Sequence, residues 1–334
     1  MAPKVVGKVG MTSPIIEESL AKAEIKLELA PIRTEADIIK YGGDADAIFV
    51  GATEPYSTKA IQALKKCRVL SRMGVGYDNI DIQAATDNGI AVAYVPGASV
   101  SEVSDHAMAL LLALARRILP LSQIGKTSVW SQASPELAKV RKGMQRIAGL
   151  TLGLVGMGRI GRALVPKAKA FGLRVLTYDP YVGPEAAREM GIELVDFQQL
   201  LREADFISLH APLTSETRHL FSVEQFRKMK PTSYIINTAR GALIDEEALV
   251  SALKEGFIAG TALDVTEQEP LAPQSALLQM ENVMLTAHSA FYSEASAEDT
   301  RRQGVESIVL ALQGIWPDAL VNPEVKQRPN RRIG

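Results

Sequence analysis

The run LGLVGMGRIGRAL at residues 152–164 limits what this 334-residue chain can fold into more than any other stretch. A strand-like apolar segment passes directly into Gly156, Gly158 and Gly161, spaced G-x-G-x-x-G, and then into a helix-forming sequence. Gly156 permits a tight turn, Gly158 lets backbone approach a pyrophosphate, and Gly161 lets helix and strand pack closely. The helix N-terminus offers N–H donors and a partial positive charge to phosphate. Arg159 adds a cation there, and Ile160 follows it in the turn. The next strand-like segment ends in TYDPY, placing Asp179 eighteen residues beyond Gly161. A carboxylate at that position accepts hydrogen bonds from an adenosine ribose diol and repels a 2′-phosphate, which favours NAD over NADP. Pro166 falls inside the expected helix, where it should remove a hydrogen bond and bend the axis.

Roughly 150 residues precede this turn, enough for a domain. Within them KVVGKVG, EIKLELA, AIFVG, RVLSRMG and AVAYVP read as strands, separated by the one-sided helical segments IIEESLAKA, TEADIIKYG, STKAIQALKK and IDIQAATDNG. Alternation of this kind implies a parallel open sheet. SVSEVSDHAMALLLALARRI follows, with Ser99 and Glu102 spaced as a capping box and a helix expected to about Arg117. Its unbroken apolarity suggests burial between two bodies, so a domain boundary is expected here. Residues 120–148 read as less regular, and their basic cluster Arg141, Lys142 and Arg146 as a solvated loop rather than an anion site. From Thr151 the alternation resumes: TLGLVG, RVLTYD, IELVD, DFISLH, SYIINT, IAGTALDV and NVMLTAH read as seven further strands. The expected fold is α/β, with two Rossmann-like open parallel-sheet domains.

Composition narrows the function classes. Hydrophobic residues at 47% and charged residues at 22% describe a globular chain, and a net charge of −1 gives no global field to draw it to nucleic acid or to an anionic membrane. The longest apolar run, AMALLLALA, is too short to span a bilayer. One cysteine, Cys67, forbids an intrachain disulfide, and the four histidines stand in no metal-binding spacing. No apolar signal core opens the chain, so a cytoplasmic location is expected.

Nicotinamide chemistry needs a cation to hold and polarise a carbonyl substrate and an acid to protonate the new alkoxide. In open α/β sheets such groups belong at the carboxyl ends of strands. Arg240 follows SYIINT, Glu269 lies in DVTEQEP, and His288 ends NVMLTAH. Arginine presents a fork that matches an α-keto carboxylate. Histidine is the usual general acid/base near neutrality, and a hydrogen-bonded carboxylate orients it and favours its charged form. Position alone leaves Glu267 beside Glu269, and His210 beside His288, as alternatives.

Six ordered segments resemble the D-isomer-specific 2-hydroxyacid dehydrogenases: GVGYDNID, VPGASVSEVSDHA, VGMGRIGRAL, INTARGALIDEEAL, ALDVTEQEPL and TAHSAFYSE. The resemblance runs from about residue 45 to 322. It implies a catalytic Arg240, Glu269 and His288, so it selects Glu269 over Glu267 and His288 over His210. It also implies that Val75 and Gly76 offer backbone N–H groups to the substrate carboxylate, that Thr238, Ala239 and Asp264 surround the nicotinamide, and that His210 and Pro212 line the cofactor cleft. The last helix would return to the first domain. That gives a discontinuous, flavodoxin-like substrate-binding domain at 1–98 and 292–334, and an NAD-binding Rossmann domain at 99–291. The two would close over NADH and a small 2-oxo acid, and a homodimer would form through the nucleotide domain, with the segment near Trp130 reaching across.

Departures bear on substrate. Ala287 stands where the family often has proline before the histidine, and Phe291 where some relatives carry tryptophan. Arg72, beside the substrate loop, is a candidate for a phosphate or second carboxylate, with an exposed or salt-bridged arginine as the alternative. The sequence leaves no room after the last helix for the regulatory domain of many phosphoglycerate dehydrogenases, though shorter ones lack it too. Besides that specific activity, the rival reading is an NADH-sensing interaction protein like the C-terminal-binding corepressors, which also resemble GVGYDNIDI and HSAFYSEAS.

Overall fold

Each apolar run of the first hundred residues becomes a strand in a computed structural model of the chain, which describes residues 2–127 and 130–334. The chain divides into two compact units, Met1–Ser99 with Ser293–Gly334, and Val100–Tyr292. In the first, β1 (Lys4–Lys8), β2 (Lys26–Ala30), β3 (Ala47–Val50), β4 (Val69–Arg72) and β5 (Ala91–Tyr94) form a parallel sheet in the order β2-β1-β3-β4-β5. That is the flavodoxin-like order. Covered on both faces, β3 is buried along its whole length, so AIFV is continuously apolar rather than alternating. At this unit's switch point, between β1 and β3, the Lys8 ammonium lies 2.6 Å from the buried Glu54 carboxylate.

The helix Glu294–Leu312 packs on β3 and β4 of this first unit. Close approach is possible because residue 304 is glycine: a Cβ there would collide with the Met73 sulfur. Ser71 Oγ donates to the Gly304 carbonyl at 2.9 Å. Beyond the helix, Arg332 donates to the carbonyls of Leu64 and Cys67, which pins the tail to the same unit.

The second unit holds β6 (Thr151–Val155), β7 (Arg174–Tyr178), β8 (Glu193–Leu194), β9 (Phe206–Leu209), β10 (Tyr234–Asn237), β11 (Gly260–Leu263) and β12 (Val283–Leu285), ordered β12-β11-β10-β9-β6-β7-β8 and all parallel. The strand order reverses between β6 and β9, the point at which open α/β sheets bind ligands. Register aligns the strand ends. Tyr178 pairs with Val155, Val155 with Leu209, Leu209 with Asn237, Asn237 with Leu263 and Leu263 with Leu285. One residue further on, Asp179, Gly156, His210, Thr238, Asp264 and Thr286 therefore stand along a single edge of the sheet.

Several local expectations change. The helix starting at Val100 ends at Ala115, because Arg117 takes a left-handed φ of 53° and opens a separate helix, Ile118–Gly125. The apolar face of Val100–Ala115 joins the core of its own unit, with Met108, Leu111 and Leu114 among Leu152, Leu164 and Ile236. Its continuous apolarity reflects burial against that sheet and the helix Arg159–Ala170. The latter helix continues through Pro166 without interruption. Pro166 lies on its exposed face, as does Arg162, whose carbonyl loses its helical partner, so water can satisfy it. IELVD yields a strand of only two residues. The stretch 120–148 includes a second helix, Pro135–Arg141, while Ser128 and Val129 lie outside the described residues. Among the described residues no single helix is long and apolar enough to cross a membrane.

Candidate active site

The glycine turn divides its labour as the spacing implies. Gly156 has φ 94°, and a Cβ on it would sit 2.7 Å from the Ala211 nitrogen. A Cβ on Gly161 would sit 2.5 Å from the Gly156 carbonyl oxygen. Both glycines are required by the chain itself. Gly158 is different: a Cβ there meets nothing within 4 Å, so the residue leaves open space at the helix N-terminus that Arg159 and Ile160 begin. That cradle, lined by N–H donors, fits a pyrophosphate. Asp179 lies beside it, and its two carboxylate oxygens accept from the backbone N–H groups of Met157 at 2.7 Å and Tyr181 at 2.8 Å. The carboxylate thus fixes the glycine turn while each oxygen keeps a further lone pair for a ribose hydroxyl.

Along the same edge, two polar atoms are buried with no partner among the described residues: His210 Nδ1 and Thr238 Oγ1. Native proteins rarely leave such groups unpaired, so both fit a cofactor rich in hydrogen-bonding groups. His210 Nε2 bonds Ser208 Oγ at 2.9 Å, and burial pushes the pKa of the ring down to about 4. At neutral pH it is therefore uncharged and a poor proton source. Pro212 follows, exposed, and its carbonyl accepts from Thr217 Oγ1.

The next turn carries Arg240. The buried Asn237 side chain folds it, with Oδ1 accepting from Ala239 N–H at 3.0 Å and Nδ2 donating to the Arg240 carbonyl at 2.8 Å. The guanidinium also donates to the Ala239 carbonyl at 2.7 Å. Beyond β11, Glu269 Oε1 accepts from Thr266 N–H at 3.1 Å, and Oε2 lies 2.7 Å from His288 Nδ1. Burial alone would raise the Glu269 pKa. The hydrogen bond and charge of His288, the Thr266 N–H and the Arg240 charge outweigh burial and hold it below the usual carboxylate range. Glu267 faces elsewhere: it pairs with His219 Nε2 at 2.7 Å and Arg218 at 3.5 Å. Geometry therefore resolves which glutamate meets His288. With Nδ1 engaged, Nε2 is the other ring atom able to carry a proton.

Asp264 is buried, 2% exposed, directly beneath His288. Its backbone carbonyl accepts from His288 N–H, and its carboxylate accepts from Ser289 and Ala290 N–H, each at 2.9 Å. In the first unit, Gly74 at φ 144° turns the chain after β4, and Arg72 curls into that turn. The Arg72 guanidinium donates to the carbonyls of Met73 and Gly76 at 2.5 Å each, and the residue is 7% exposed. Among the described residues no hydrogen bond engages the N–H groups of Val75 or Gly76. Asn237, Thr266 and Thr286 hold parts of the site that Arg240, Glu269 and His288 do not account for alone. All three lie within two or three residues of the triad, and a polar residue at or just past a strand end was the available signal.

The family model described as "D-isomer specific 2-hydroxyacid dehydrogenase, NAD binding domain" matches residues 108–290. The chain belongs to the D-isomer-specific 2-hydroxyacid dehydrogenase family. It is 40% identical to the glyoxylate reductase of Korarchaeum cryptofilum, over 96% of this chain and 98% of that protein. It is equally 40% identical to the D-3-phosphoglycerate dehydrogenase of Methanocaldococcus jannaschii, over 96% of this chain but 60% of that protein. The fold matches a crystal structure of the Aquifex aeolicus D-lactate dehydrogenase complexed with NAD and lactic acid, with a TM-score of 0.84 at 28% identity, covering 95% of this chain and 98% of that one. As a D-2-hydroxyacid dehydrogenase the chain uses NAD and exchanges a hydride between that cofactor and a 2-hydroxy/2-oxo acid pair.

Proposed function

We propose that this D-2-hydroxyacid dehydrogenase reduces small, unphosphorylated 2-oxo acids, with His288 as general acid, Glu269 as its support and Arg240 holding and polarising the substrate. NADH, when bound, supplies the hydride for the carbonyl carbon. The observation that carries the reading is the 2.7 Å His288–Glu269 pair under the influence of the Arg240 charge. Glu269 stabilises the imidazolium before transfer, and His288 Nε2 gives its proton to the carbonyl oxygen as negative charge develops there. Arg240 offers two-pronged hydrogen bonding to the α-carboxylate and carbonyl. The unengaged Val75 and Gly76 N–H groups hold the substrate carboxylate. Gly156, Gly158, Arg159, Ile160 and Gly161 seat the pyrophosphate, and Asp179 takes the adenosine ribose. Thr238, Ala239 and Asp264 surround the nicotinamide, and His210 and Pro212 line the cofactor cleft. The substrate is unphosphorylated on this reading because Arg72, the residue the sequence offers for a phosphate, turns its guanidinium into its own loop.

The enzyme works as a homodimer in the cytoplasm. Helix Ile118–Gly125 has no buried residue, and Ile118 and Leu119 are about half exposed, an apolar face suited to a second copy of the chain. The exposed Trp130 lies in the segment that follows. A reducing compartment suits a chain whose one thiol is buried, with its pKa pushed up to about 12 by that burial.

The test is NADH consumption with glyoxylate, hydroxypyruvate, pyruvate, a bulky apolar oxo acid and 3-phosphohydroxypyruvate. Fast turnover on one of the small acids, and a lower rate on the phosphorylated one, are expected. His288→Ala should cut kcat by roughly 10²–10⁴ while NADH binding persists. Slow turnover on every acid, with submicromolar NADH binding, would favour the sensing protein instead.

A further inference from the structure

His288 occupies a backbone conformation that L-residues disfavour, with φ 48°. A general acid in such a conformation needs something to hold it there. Asp264 does so through three successive N–H groups: its carbonyl takes that of His288, Oδ1 that of Ser289 and Oδ2 that of Ala290. A buried carboxylate can fix a turn only if it is itself fixed. Thr286 Oγ1 donates to Asp264 Oδ1 at 2.5 Å. A hydroxyl has a single proton, so once given to Asp264 the oxygen can only accept. The atom facing it is His106 Nε2, at 3.1 Å and 3.6 Å from Asp264 Oδ1. The chain of hydrogen bonds therefore has one direction, from His106 to Thr286 to Asp264, and requires a proton on Nε2 of His106.

We propose that His106 is a positioning residue for His288, acting through Thr286 and Asp264 on the turn that carries the general acid. The inference rests on the role given to His288 above. Its anchor is the helix Val100–Ala115, well held within its own unit. Met108, Leu111 and Leu114 are buried in the core, and Lys167 Nζ donates to Ser104 Oγ at 2.6 Å and the Ser101 carbonyl at 3.2 Å. The relay ties the catalytic turn to a rigid element 180 residues away in sequence. Residues that lock the rotamers and backbone of an active group in this way determine how closely it meets the reacting atom.

The experiment compares His106→Leu, His106→Gln, Thr286→Val and the double variant His106→Leu/Thr286→Val, with the full-length enzyme and its best 2-oxo acid. Glutamine can place an amide N–H close to where Nε2 lies, so it separates loss of the donor from loss of the side chain. His106→Leu is expected to lower kcat about tenfold, leave the NADH Kd within about twofold, and raise the solvent isotope effect on kcat, because a misplaced acid makes proton transfer limiting. His106→Gln should recover most of kcat. The double variant should lose no more than Thr286→Val alone, as expected for links of one chain. An unchanged kcat in His106→Leu, equal losses with Gln and Leu, or additive losses in the double variant would overturn the relay. His288→Ala, measured alongside, separates the two claims. If it retains turnover, the acid assignment falls and the relay with it. If it loses turnover while His106→Leu does not, the relay alone falls.

Discussion

Glu269 and His210 are perturbed in ways that suit different tasks. The Glu269 carboxyl ionises below the usual carboxylate range, since His288, Thr266 and Arg240 together outweigh the effect of burial. Its contribution to stability is complete above the unfolded value, ~4.3, and is lost as pH falls through the lower folded value. In activity the effect runs through His288. Glu269→Gln weakens the bond that orients the imidazole, so kcat for reduction should fall roughly 10- to 100-fold while the NADH Kd holds; an unchanged kcat contradicts the pairing. His210 works in the opposite sense. Its pKa of about 4 in the fold, against ~6.5 unfolded, means the unfolded chain binds more protons between those values. Stability should therefore fall as pH drops from ~6.5 to ~4, and His210→Gln should flatten that dependence in thermal melts. An equally steep dependence in the variant would show that His210 is not buried neutral.

At the scale of elements, the glycine turn makes a prediction with two opposite outcomes. Gly156→Ala forces a side chain into left-handed backbone and against the Ala211 nitrogen, and should cost ~1–3 kcal/mol in denaturant melts. Gly158→Ala faces open space with an ordinary φ of −69°, so the protein should fold unchanged. Its NADH affinity should nevertheless drop roughly tenfold, about 1.4 kcal/mol, because a methyl group stands where the pyrophosphate goes. Equal binding by both would place the cofactor elsewhere. The strands and this turn are legible in the sequence because their signals are local: short β-branched runs, a fixed glycine spacing, an acid at the next strand end. Other features are not local. The direction of Arg72 depends on where Met73 and Gly76 place their carbonyls. The His106–Thr286 bond joins residues far apart in the chain, and no pattern within either segment announces it. The end of the helix at Ala115 turns on one left-handed arginine in an otherwise helix-favouring sequence. Pro166 is tolerated because it lies on the exposed face, which periodicity shows only once the buried face is known.

For the whole molecule, the exposed apolar helix Ile118–Gly125 predicts self-association. Light scattering should give a dimer, and a doubly charged variant, Ile118→Asp with Leu119→Asp, should give a folded monomer; a monomeric wild type contradicts the proposed interface. The chemistry belongs to this scale as well, since it requires the cofactor, the substrate carboxylate and the acid to act on one carbonyl. The most direct measurement uses NADH carrying deuterium at both C4 positions and the best chiral-product 2-oxo acid of the panel. The product should be the D-2-hydroxy acid with one deuterium at C2, formed one-for-one with NADH consumed. A product without deuterium at C2, or of the L configuration, would contradict the account.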